Sequence, residues 1–431
     1  MIMKPFTNEI LPQGYKMTEL GALPDEWEVV KLGEVADIVM GQSPPGSSYN
    51  ETGVGLPFLQ GKAEFGPLHP LHIKYTTTPI KIAPKGSVLL SVRAPVGDVN
   101  LANIDYCIGR GLASISLSSG KNIFLFYILT YLKNEIEKEG TGSIFKAINK
   151  TKLLNFKIPL PPLPEQQKIA AVLSAVQEAK EKTRAVIDAT KALKKSMMKH
   201  LFTYGPVSPE EAENVPLKET EIGLVPEDWE VVKLGEVFDV QQGKQLSEKE
   251  SKEGKIRKPF LRTSNLNWGY IDISSIDEMY FTSEEFNKLK LESGDILICE
   301  GGDIGRTALY RGELVECAYQ NHLHRLRPKK DNVDVKFFVL WMNYAINQRK
   351  MYTHSANRTT IPNLSGSRLK EFIFPLPLLP VQQKIASILS AIDEKIQAEE
   401  AKEKALEDLF RSLLSHLMSG KIRVKDLVIG D

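Results

Sequence analysis

The chain of 431 residues contains the same two sequence landmarks twice, in the same order. The first is a tryptophan segment, which reads PDEWEVVKLGEV from Pro24 and PEDWEVVKLGEV from Pro226. The second reads LPPLPEQQKIAAVLSA from Leu160 and LPLLPVQQKIASILSA from Leu376. A repeat of about 200 residues is far longer than the period of a solenoid. The pattern therefore predicts two large modules of similar construction.

The second landmark is typical of a helix start. Pro164 and Pro380 suit the first helical position, where the missing N–H has no partner to lose. Apolar residues then recur at alternating steps of three and four, which predicts two long helices packed along each other. The second copy is polar at its middle, so we expect firmer pairing at both ends. The predicted seam of this coiled coil is Ile169, Val172, Val176, Val186, Leu193, Met197, Ile385, Ile388, Ile392, Leu406, Leu409 and Leu413.

The stretches between the landmarks mix strand and helix signals. Short β-type runs such as SVLLSVRAPVG and GDILICEGGDIG alternate with helical runs such as IFLFYILTYLKNEIEKEG and KFFVLWMNYAINQRKMY. Glycine, proline and serine interrupt the segments often, which indicates many loops. The predicted fold class is mixed α/β, of the α+β type.

Composition limits the kinds of partner. The formal net charge is +1, from 55 basic and 54 acidic residues, so any site for a polyanion must be a local patch. No apolar run approaches the length of a membrane span, and the N-terminus lacks an apolar signal core. The three cysteines form no C-x-x-C pair, which favours a reducing cytoplasm.

Motifs for catalysis are missing. There is no D/N-P-P-Y/F loop of the kind that holds an adenine amino group in methyltransferases, and no phosphate-binding G-x-x-x-x-G-K-[ST] loop. The histidines lack companions at metal-ligand spacing. The sequence therefore predicts no catalytic residue, no metal site and no cofactor in this chain.

The doubled order of landmarks resembles the specificity subunit of type I restriction–modification systems. The R-A-P-V-G run at Arg93 and the final GKIRV also resemble that family. The resemblance implies two target-recognition domains joined by an antiparallel coiled coil with a pseudo-twofold internal repeat. It implies a non-catalytic subunit that reads a split, asymmetric site in double-stranded DNA. The expected partners are two adenine methyltransferase (modification) subunits and restriction/translocase subunits, which would hold S-adenosylmethionine, ATP and Mg.

This layout divides the chain into seven parts. They are an N-terminal extension (1–17), the first target-recognition domain (18–159), the first coiled-coil helix (160–202), a linker (203–219), the second target-recognition domain (220–375), the second coiled-coil helix (376–418) and a C-terminal tail (419–431).

Candidate DNA-contacting residues follow from side-chain chemistry. Arginine and lysine suit guanine and phosphates, asparagine and glutamine suit adenine, and serine suits either. In loops of the first domain the candidates are Gln42, Ser43, Gln60, Lys62, Arg93 and Arg110. In the second they are Lys244, Arg262, Ser264, Asn265, Arg306, Gln320, Asn321, Arg325, Asn357 and Arg358.

Three other interpretations stay open at the level of sequence. The chain could be a paired-coil adaptor that binds proteins and no DNA. It could be an orphan specificity subunit without DNA-modifying partners. It could also be a self-contained nuclease or methyltransferase with degenerate motifs.

Overall fold

The protein is described by a computed structural model that covers residues 11–140, 146–246, 253–351 and 364–424. The chain forms two compact units. Unit 1 contains Met1–Arg184 and Ala401–Asp431, and unit 2 contains Ala185–Glu400. Each unit therefore includes one part of each repeated helix, and unit 1 combines the two ends of the chain.

Unit 1 begins with thirteen short strands interleaved with four short helices. The strands are β1 (Tyr15–Thr18), β2 (Gly21–Pro24), β3 (Glu28–Lys31), β4 (Ala36–Met40), β5 (Tyr49–Asn50), β6 (Leu56–Leu59), β7 (Tyr75–Thr76), β8 (Ile82–Ala83), β9 (Val88–Ser91), β10 (Val99–Leu101), β11 (Tyr106–Ile108), β12 (Leu112–Leu117) and β13 (Lys157–Leu160). The helices are α1 (Leu32–Val35), α2 (Asn122–Tyr131), α3 (Lys133–Glu139) and α4 (Lys150–Asn155), with 3₁₀ turns at Gly46–Ser48 and Lys62–Glu64. The long helix α5 (Leu163–Tyr204) follows and continues into unit 2.

Unit 2 repeats this order with some differences. Its strands are β14 (Leu217–Thr220), β15 (Gly223–Pro226), β16 (Glu230–Lys233), β17 (Phe238–Gln242), β18 (Ile256–Leu261), β19 (Asp277–Phe281), β20 (Ile296–Cys299), β21 (Thr307–Leu309), β22 (Ala318–Tyr319), β23 (Leu323–Pro328) and β24 (Ile373–Leu376). Its helices are α6 (Leu234–Val237), α7 (Ser283–Leu289), α8 (Val335–Asn343), α9 (Gly366–Glu371) and the long α10 (Leu379–Met418). It also has 3₁₀ turns at Ala212–Asn214 and Thr263–Asn265 and a π-helical turn at Tyr344–Gln348.

An antiparallel four-stranded sheet forms the centre of each unit. The strand order is β10-β9-β12-β4 in unit 1 and β17-β23-β20-β21 in unit 2. Strands β9 and β20 are buried along their whole length, which explains why VLLS and ILIC show no alternating polar face. A second sheet, β5-β7-β6-β11-β8 or β19-β18-β22, carries one parallel strand pair in each unit.

The apolar helical runs pack on these central sheets. Helix α2 packs against β9, β10 and β12, and helix α8 packs against β21. Both helices bury most of their side chains, and this agrees with sequences that are apolar on nearly every face. The first of these runs divides at Leu132, where α2 ends and α3 begins. The predicted mixed α/β class is confirmed.

The two sequence landmarks of each repeat meet in a small two-stranded sheet. Strand β3 pairs with β13, so that Glu28 lies opposite Leu160. Strand β16 pairs with β24 in the same register, so that Glu230 lies opposite Leu376. The tryptophan of each segment lies outside its strand, which begins at the next residue. This pairing fixes the start of each long helix against the start of its own module.

The first glutamine of each Q-Q pair holds the turn before the helix. The Nε2 atom of Gln166 donates to the Pro161 carbonyl at 2.9 Å, and that of Gln382 donates to the Pro377 carbonyl at 2.7 Å. Both side chains are buried, whereas the second glutamine of each pair is exposed. Buried amides of this kind need partners, and the proline-rich turn supplies a carbonyl acceptor.

A buried carboxylate joins both ends of the chain in unit 1. Glu165 is 4% exposed and accepts a hydrogen bond from the Trp27 indole at 2.9 Å. The Arg423 guanidinium contacts the same carboxylate at 2.6 and 2.8 Å, which raises the pKa of Arg423. The Tyr15 hydroxyl donates to the Gly420 carbonyl at 2.6 Å. The end of α10 is thereby attached to the first tryptophan segment.

Unit 2 makes the matching junction without a charge. Trp229 is 2% exposed and belongs to a core that includes Met198 and Phe202 from the end of α5. The Phe202 ring stacks on Tyr344 with a centroid distance of 5.1 Å. Val381 stands at the place in the repeat that Glu165 occupies in the first copy. In the described part of this unit, apolar packing joins the tryptophan segment to the helix end.

The two long helices run antiparallel, as predicted. In each unit, ion pairs between α5 and α10 show this direction. As the residue number on α5 rises, the residue number of its partner on α10 falls. They are Lys180–Glu407 at 2.5 Å and Arg184–Glu403 at 3.2 Å in unit 1, and Lys191–Glu400 at 2.7 Å and Lys194–Asp393 at 2.5 Å in unit 2. Two of these pairs are partly buried and two are more exposed, and surface pairs of this kind contribute little stability, so we use them here to establish the helix direction.

The residues buried along the helices lie one position beyond several predicted seam residues. Val186, Leu193 and Leu409 are 40%, 52% and 46% exposed. The buried positions include instead Leu173, Ile187, Met198, Leu389, Ile396 and Phe410. An α-helix with 3.6 residues per turn drifts by about 20° per heptad against a strict 3.5-residue pattern, and this drift supplies part of the shift at the later positions.

The other predicted seam residues are buried wholly or in part. Ile169 and Ile385 are fully buried at the two helix starts. The partly buried ones are Val172, Val176, Met197, Ile388, Ile392, Leu406 and Leu413. Burial along α5 and α10 is therefore greatest near their ends, where residues of the globular parts join the same core.

Replacing Glu165 by glutamine tests the buried junction. The substitution keeps the shape of the side chain but leaves Arg423 facing a neutral amide, so we expect unfolding to become easier by about 2 kcal/mol. Urea unfolding followed by tryptophan fluorescence measures this, and a double variant with Arg423→Met should lose less than the two single variants together. Glu19→Gln is the control, because its ion pair with Lys157 is exposed and should contribute under about 1 kcal/mol. Equal losses in the variant and the control would contradict a structural role for Glu165.

Candidate nucleic-acid interface

Several predicted site residues of unit 1 meet where β4 ends beside the turn between β11 and β12. We call residues Gly109–Leu112 of unit 1 and Gln320–Leu323 of unit 2 the crossing turns. In unit 1 the turn is closed by a hydrogen bond from Leu112 N to the Gly109 carbonyl at 3.0 Å. The chain after β4 crosses it, because Gly41 N donates to the Leu112 carbonyl and Gln42 N to the Ile108 carbonyl, both at 2.9 Å.

Glycines allow this close crossing in unit 1. A Cβ atom at Gly41 would lie 2.1 Å from the Gly109 carbonyl oxygen. A Cβ atom at Gly111 would lie 2.6 Å from the Gln60 carbonyl oxygen. Any other residue at these two positions would force the backbones apart, so the tight approach explains the glycine after β4 and the G-R-G run.

Four of the predicted residues are brought together there. The Ser43 hydroxyl oxygen accepts long hydrogen bonds from Gln60 Nε2 at 3.5 Å and from the Arg110 backbone N–H at 3.4 Å. Gln42, Gln60 and Arg110 are exposed. Within the described ranges the Arg110 guanidinium has no hydrogen bond or ion pair. The crossing therefore presents a donor-rich polar surface to solvent.

Lys62 and Arg93 lie in neighbouring loops with different surroundings. Lys62 pairs with Asp98 at 2.6 Å, and Lys133 pairs with the same carboxylate at 2.5 Å. Burial alone would raise the pKa of Asp98, but the hydrogen bonds from the two lysines outweigh it and lower that pKa. Arg93 is exposed, and its backbone forms an isolated bridge with Ala147. The Arg93 side chain is thus open to solvent, while Lys62 is already neutralised.

Unit 2 builds the same crossing from different residues. Leu323 N donates to the Gln320 carbonyl at 2.9 Å, which closes the second crossing turn. Gly243 N donates to the Leu323 carbonyl at 3.2 Å and Lys244 N to the Tyr319 carbonyl at 3.1 Å. A Cβ atom at Gly243 would lie 2.4 Å from the carbonyl oxygens of both Tyr319 and Gln320. These three backbone hydrogen bonds match those that form the crossing in unit 1.

Amide side chains lie on the second crossing turn. Gln320 and Asn321 are partly exposed. The Asn321 backbone is held on both sides, since its N–H donates to the Lys244 carbonyl and its carbonyl accepts from Gln242 Nε2, each at 2.9 Å. Among the described residues its side-chain amide has no hydrogen-bond partner.

The predicted cations of unit 2 are paired with acidic residues nearby. Lys244 pairs with Glu285 at 2.7 Å, and this hydrogen bond lowers the pKa of Glu285. Arg262 pairs with Asp277 at 2.7 Å. Arg306 pairs with Asp303 at 2.9 Å and also donates to the Thr263 carbonyl at 2.7 Å.

Two further predicted residues of unit 2 lie inside the fold. Arg325 is 5% exposed and donates to the Lys288 carbonyl at 3.2 Å. Asn265 is also 5% exposed; its amide caps the 3₁₀ turn by accepting from Arg262 N at 3.0 Å and donates to the Asp272 carbonyl at 3.0 Å. Both side chains support loops from within. Ser264, next to Asn265, is exposed, and Asn357 and Arg358 lie outside the described residues.

A buried polar group that the sequence analysis missed lies behind the second crossing turn. Gln242 donates to Glu300 at 3.0 Å, and the ring of His324 lies 3.6 Å from the same carboxylate. His324 is 1% exposed, and neither ring nitrogen has a partner in the described structure. Burial lowers the pKa of His324, although the Glu300 charge acts in the opposite direction. In the sequence, the one indication of this polar group was Glu300, which directly follows the apolar strand ILIC.

The described ranges give little support for a metal site, a membrane span or reactive thiols. No cluster of three or more His, Cys, Asp or Glu residues there could hold a metal ion. No helix in the described part of the chain is long and apolar enough to cross a bilayer. The thiols of Cys107, Cys299 and Cys317 are buried, and burial raises the pKa of each. Both units have a polar crossing turn that is exposed or partly exposed.

Comparison with known proteins matches both units to one family. A family model described as the type I restriction modification DNA specificity domain matches residues 24–189 and 226–408, and each range contains one crossing turn. The chain is 29% identical over 420 residues to the type I restriction enzyme MjaVIII specificity subunit of Methanocaldococcus jannaschii, covering 94% of this chain and 95% of that protein. It is 48% identical over 208 residues to the MjaX specificity subunit of that organism, but this match spans only 47% of this chain and 49% of the relative.

A solved structure shares the fold. The crystal structure of the type I restriction–modification S subunit from M. genitalium superposes with a TM-score of 0.59 at 21% identity, covering 91% of this chain and 96% of that chain.

Alanine at Gly243 tests the close crossing in unit 2. The added Cβ atom would overlap two carbonyl oxygens, so we expect a loss of roughly 1–3 kcal/mol in unfolding free energy and faster hydrogen exchange at the crossing turn. Gly301→Ala is the matched control, because a Cβ atom there meets nothing within 4 Å and the backbone has no positive φ. Similar unfolding curves for the two variants would refute a packing role for Gly243.

His324 should make unit 2 sensitive to acid. Because its folded pKa is lowered, the unfolded chain takes up a proton first, and stability should fall as the pH drops below about 6.5. Replacing His324 by alanine, the residue at the matching place in β12 (Ala113), should weaken this dependence between pH 7.5 and 5.5. Melting temperatures measured across that range provide the test, with the exposed neighbour His322→Ala as control. An unchanged pH dependence in His324→Ala would contradict the prediction.

Proposed function

The chain belongs to the family of type I restriction–modification DNA specificity subunits, and we propose that it reads DNA through the two crossing turns, one in each unit. Its function is sequence-specific DNA recognition, and catalysis lies in partner subunits. The observation that supports the crossing turns is their common backbone and unlike side chains: Arg110 stands in one and Asn321 in the other. A shared frame with different exposed groups suits the reading of two unlike half-sites.

Electrostatics divides the proposed contacts into two kinds. Arg93 and Arg110 are exposed cations in unit 1, and such side chains neutralise phosphates or read guanine. The overall charge of +1 gives no general attraction to DNA, so binding depends on these local groups. Added salt should therefore weaken binding in proportion to the number of phosphates contacted. Gln42, Ser43 and Gln60 are close enough to Arg110 to contact the same half-site.

We infer the partners from the catalytic functions, methyl transfer and ATP use, for which this sequence has no motif. Family members assemble with modification and restriction subunits. We place two methyltransferase subunits on the flanks of the long helices and on the repeated strand and helix starts, because both units repeat these segments. S-adenosylmethionine, ATP and Mg belong to the partner subunits in this proposal. The complex acts in the cytoplasm, where the DNA of the cell and these cofactors are available.

The experiment is to co-express the chain with the methyltransferase encoded beside it and to map N6-methyladenine by single-molecule sequencing. We expect one methylated motif made of two short, unlike halves around a fixed gap, because two different crossing turns read it. Cells that express the methyltransferase without this chain are the control and should lack the motif.

Three results would contradict the proposal. A contiguous motif would oppose two separate readers. An intact complex that methylates nothing would favour the protein adaptor. Failure of any methyltransferase to co-purify would favour an orphan subunit.

A further inference from the structure

The two crossing turns offer different hydrogen-bonding chemistry from the same backbone. Arg110 is flanked by Gly109 and Gly111, so it supplies the only side chain between two glycines. Asn321 takes the matching place in unit 2, since Leu112 and Leu323 close their turns with the same bond. Unit 2 has Gln320 and His322 at the places of the two glycines, so all three positions differ and Arg110 and Asn321 are the matched pair at the centre of the turn.

Arg110 is prepared for a contact outside the protein. Its side chain is exposed, and within the described structure the guanidinium has no internal partner. Its backbone N–H is fixed on Ser43, and Gly111 leaves no room for another side chain beside it. The neighbouring cation Lys62 is already paired with Asp98 at 2.6 Å. The Arg110 guanidinium is therefore a long side-chain donor on an anchored backbone, and it is free to contact DNA.

Asn321 stands in surroundings where the charges are already balanced. Lys244, Arg262 and Arg306 each pair with an acidic residue at 2.7–2.9 Å. The Asn321 backbone is held at both its N–H and its carbonyl, while its amide has no partner in the described ranges. Asn321 therefore presents a neutral amide, with an NH₂ donor group and a carbonyl acceptor.

We propose that Arg110 selects a guanine in the half-site read by unit 1 and that Asn321 selects an adenine in the half-site read by unit 2. The guanidinium is a pure donor and matches the two acceptors O6 and N7 of guanine. The asparagine amide matches the donor N6 and the acceptor N7 of adenine. This assignment rests on the proposed function of the crossing turns.

The test compares methylation maps of complexes that contain the wild-type chain, Arg110→Ala or Asn321→Ala. In Arg110→Ala we expect one G·C position of one half-site to become degenerate, with discrimination lowered between about 5-fold and 150-fold. In Asn321→Ala an A·T position of the other half-site should relax in the same way. The second half-site should be unaffected in each case, because the two turns lie in separate units.

Further variants distinguish base reading from general binding. Arg110→Lys keeps the charge but loses the two-pronged donor, so guanine preference should weaken while salt dependence is retained. Arg311→Ala, at an exposed arginine outside both turns, should leave the map unchanged. Melting curves of each complex show whether a variant has lost its fold. For a variant that fails to assemble, the polar changes Arg110→Lys and Asn321→Ser, which add no negative charge, replace the alanine variants.

The outcomes separate this inference from the function on which it rests. A wild-type complex without any split motif would refute the proposed function itself. A wild-type split motif that stays identical in Arg110→Ala and Asn321→Ala would overturn only the base assignment. A uniform loss at every site, or relaxation at a base other than guanine or adenine, would also overturn it, since those results indicate phosphate contact or another specificity.

Discussion

The pairing of two four-residue strands is the interaction on which each half of this protein depends. Strand β3 on β13, and β16 on β24, join the first residues of a module to the last residues before its long helix. A buried glutamine then fixes the turn into the helix. Residues more than 100 positions apart thus determine where the helix starts, and the rest of the module folds between them.

The crossing turns show how such a frame can carry two specificities. Their geometry is set by backbone hydrogen bonds and by glycines that permit close approach, neither of which depends on the exposed side chains. Arg110 can therefore stand where Asn321 stands without changing the turn. Unit 2 has the polar residues Gln242, Glu300 and the buried His324 behind its turn, where unit 1 has the apolar residues Met40, Val92 and Ala113. The residues behind the turn therefore differ between the units, although the three backbone hydrogen bonds that form the crossing are the same.

The sequence predicted the larger features because they rest on local signals. Proline at the first turn and the regular apolar spacing mark both long helices, and the doubled landmarks imply two similar modules. The coiled-coil seam was less accurate: Ile187 rather than Val186 is buried, and the drift of a straight helix against a strict heptad explains part of this difference. Arg110 and Gln60 were both identified, but their closeness depends on strands that meet only in three dimensions.

The sequence by itself determined the doubled architecture, the helix starts and a set of polar candidates, because composition and spacing act over short distances along the chain. Only the tertiary structure decided which candidates face solvent. Arg325 and Asn265 look like binding residues by type, yet they are buried on internal carbonyls, while Lys244 and Arg262 are paired with acids from other segments. Exposure and pairing depend on contacts between distant residues, and no local pattern encodes them.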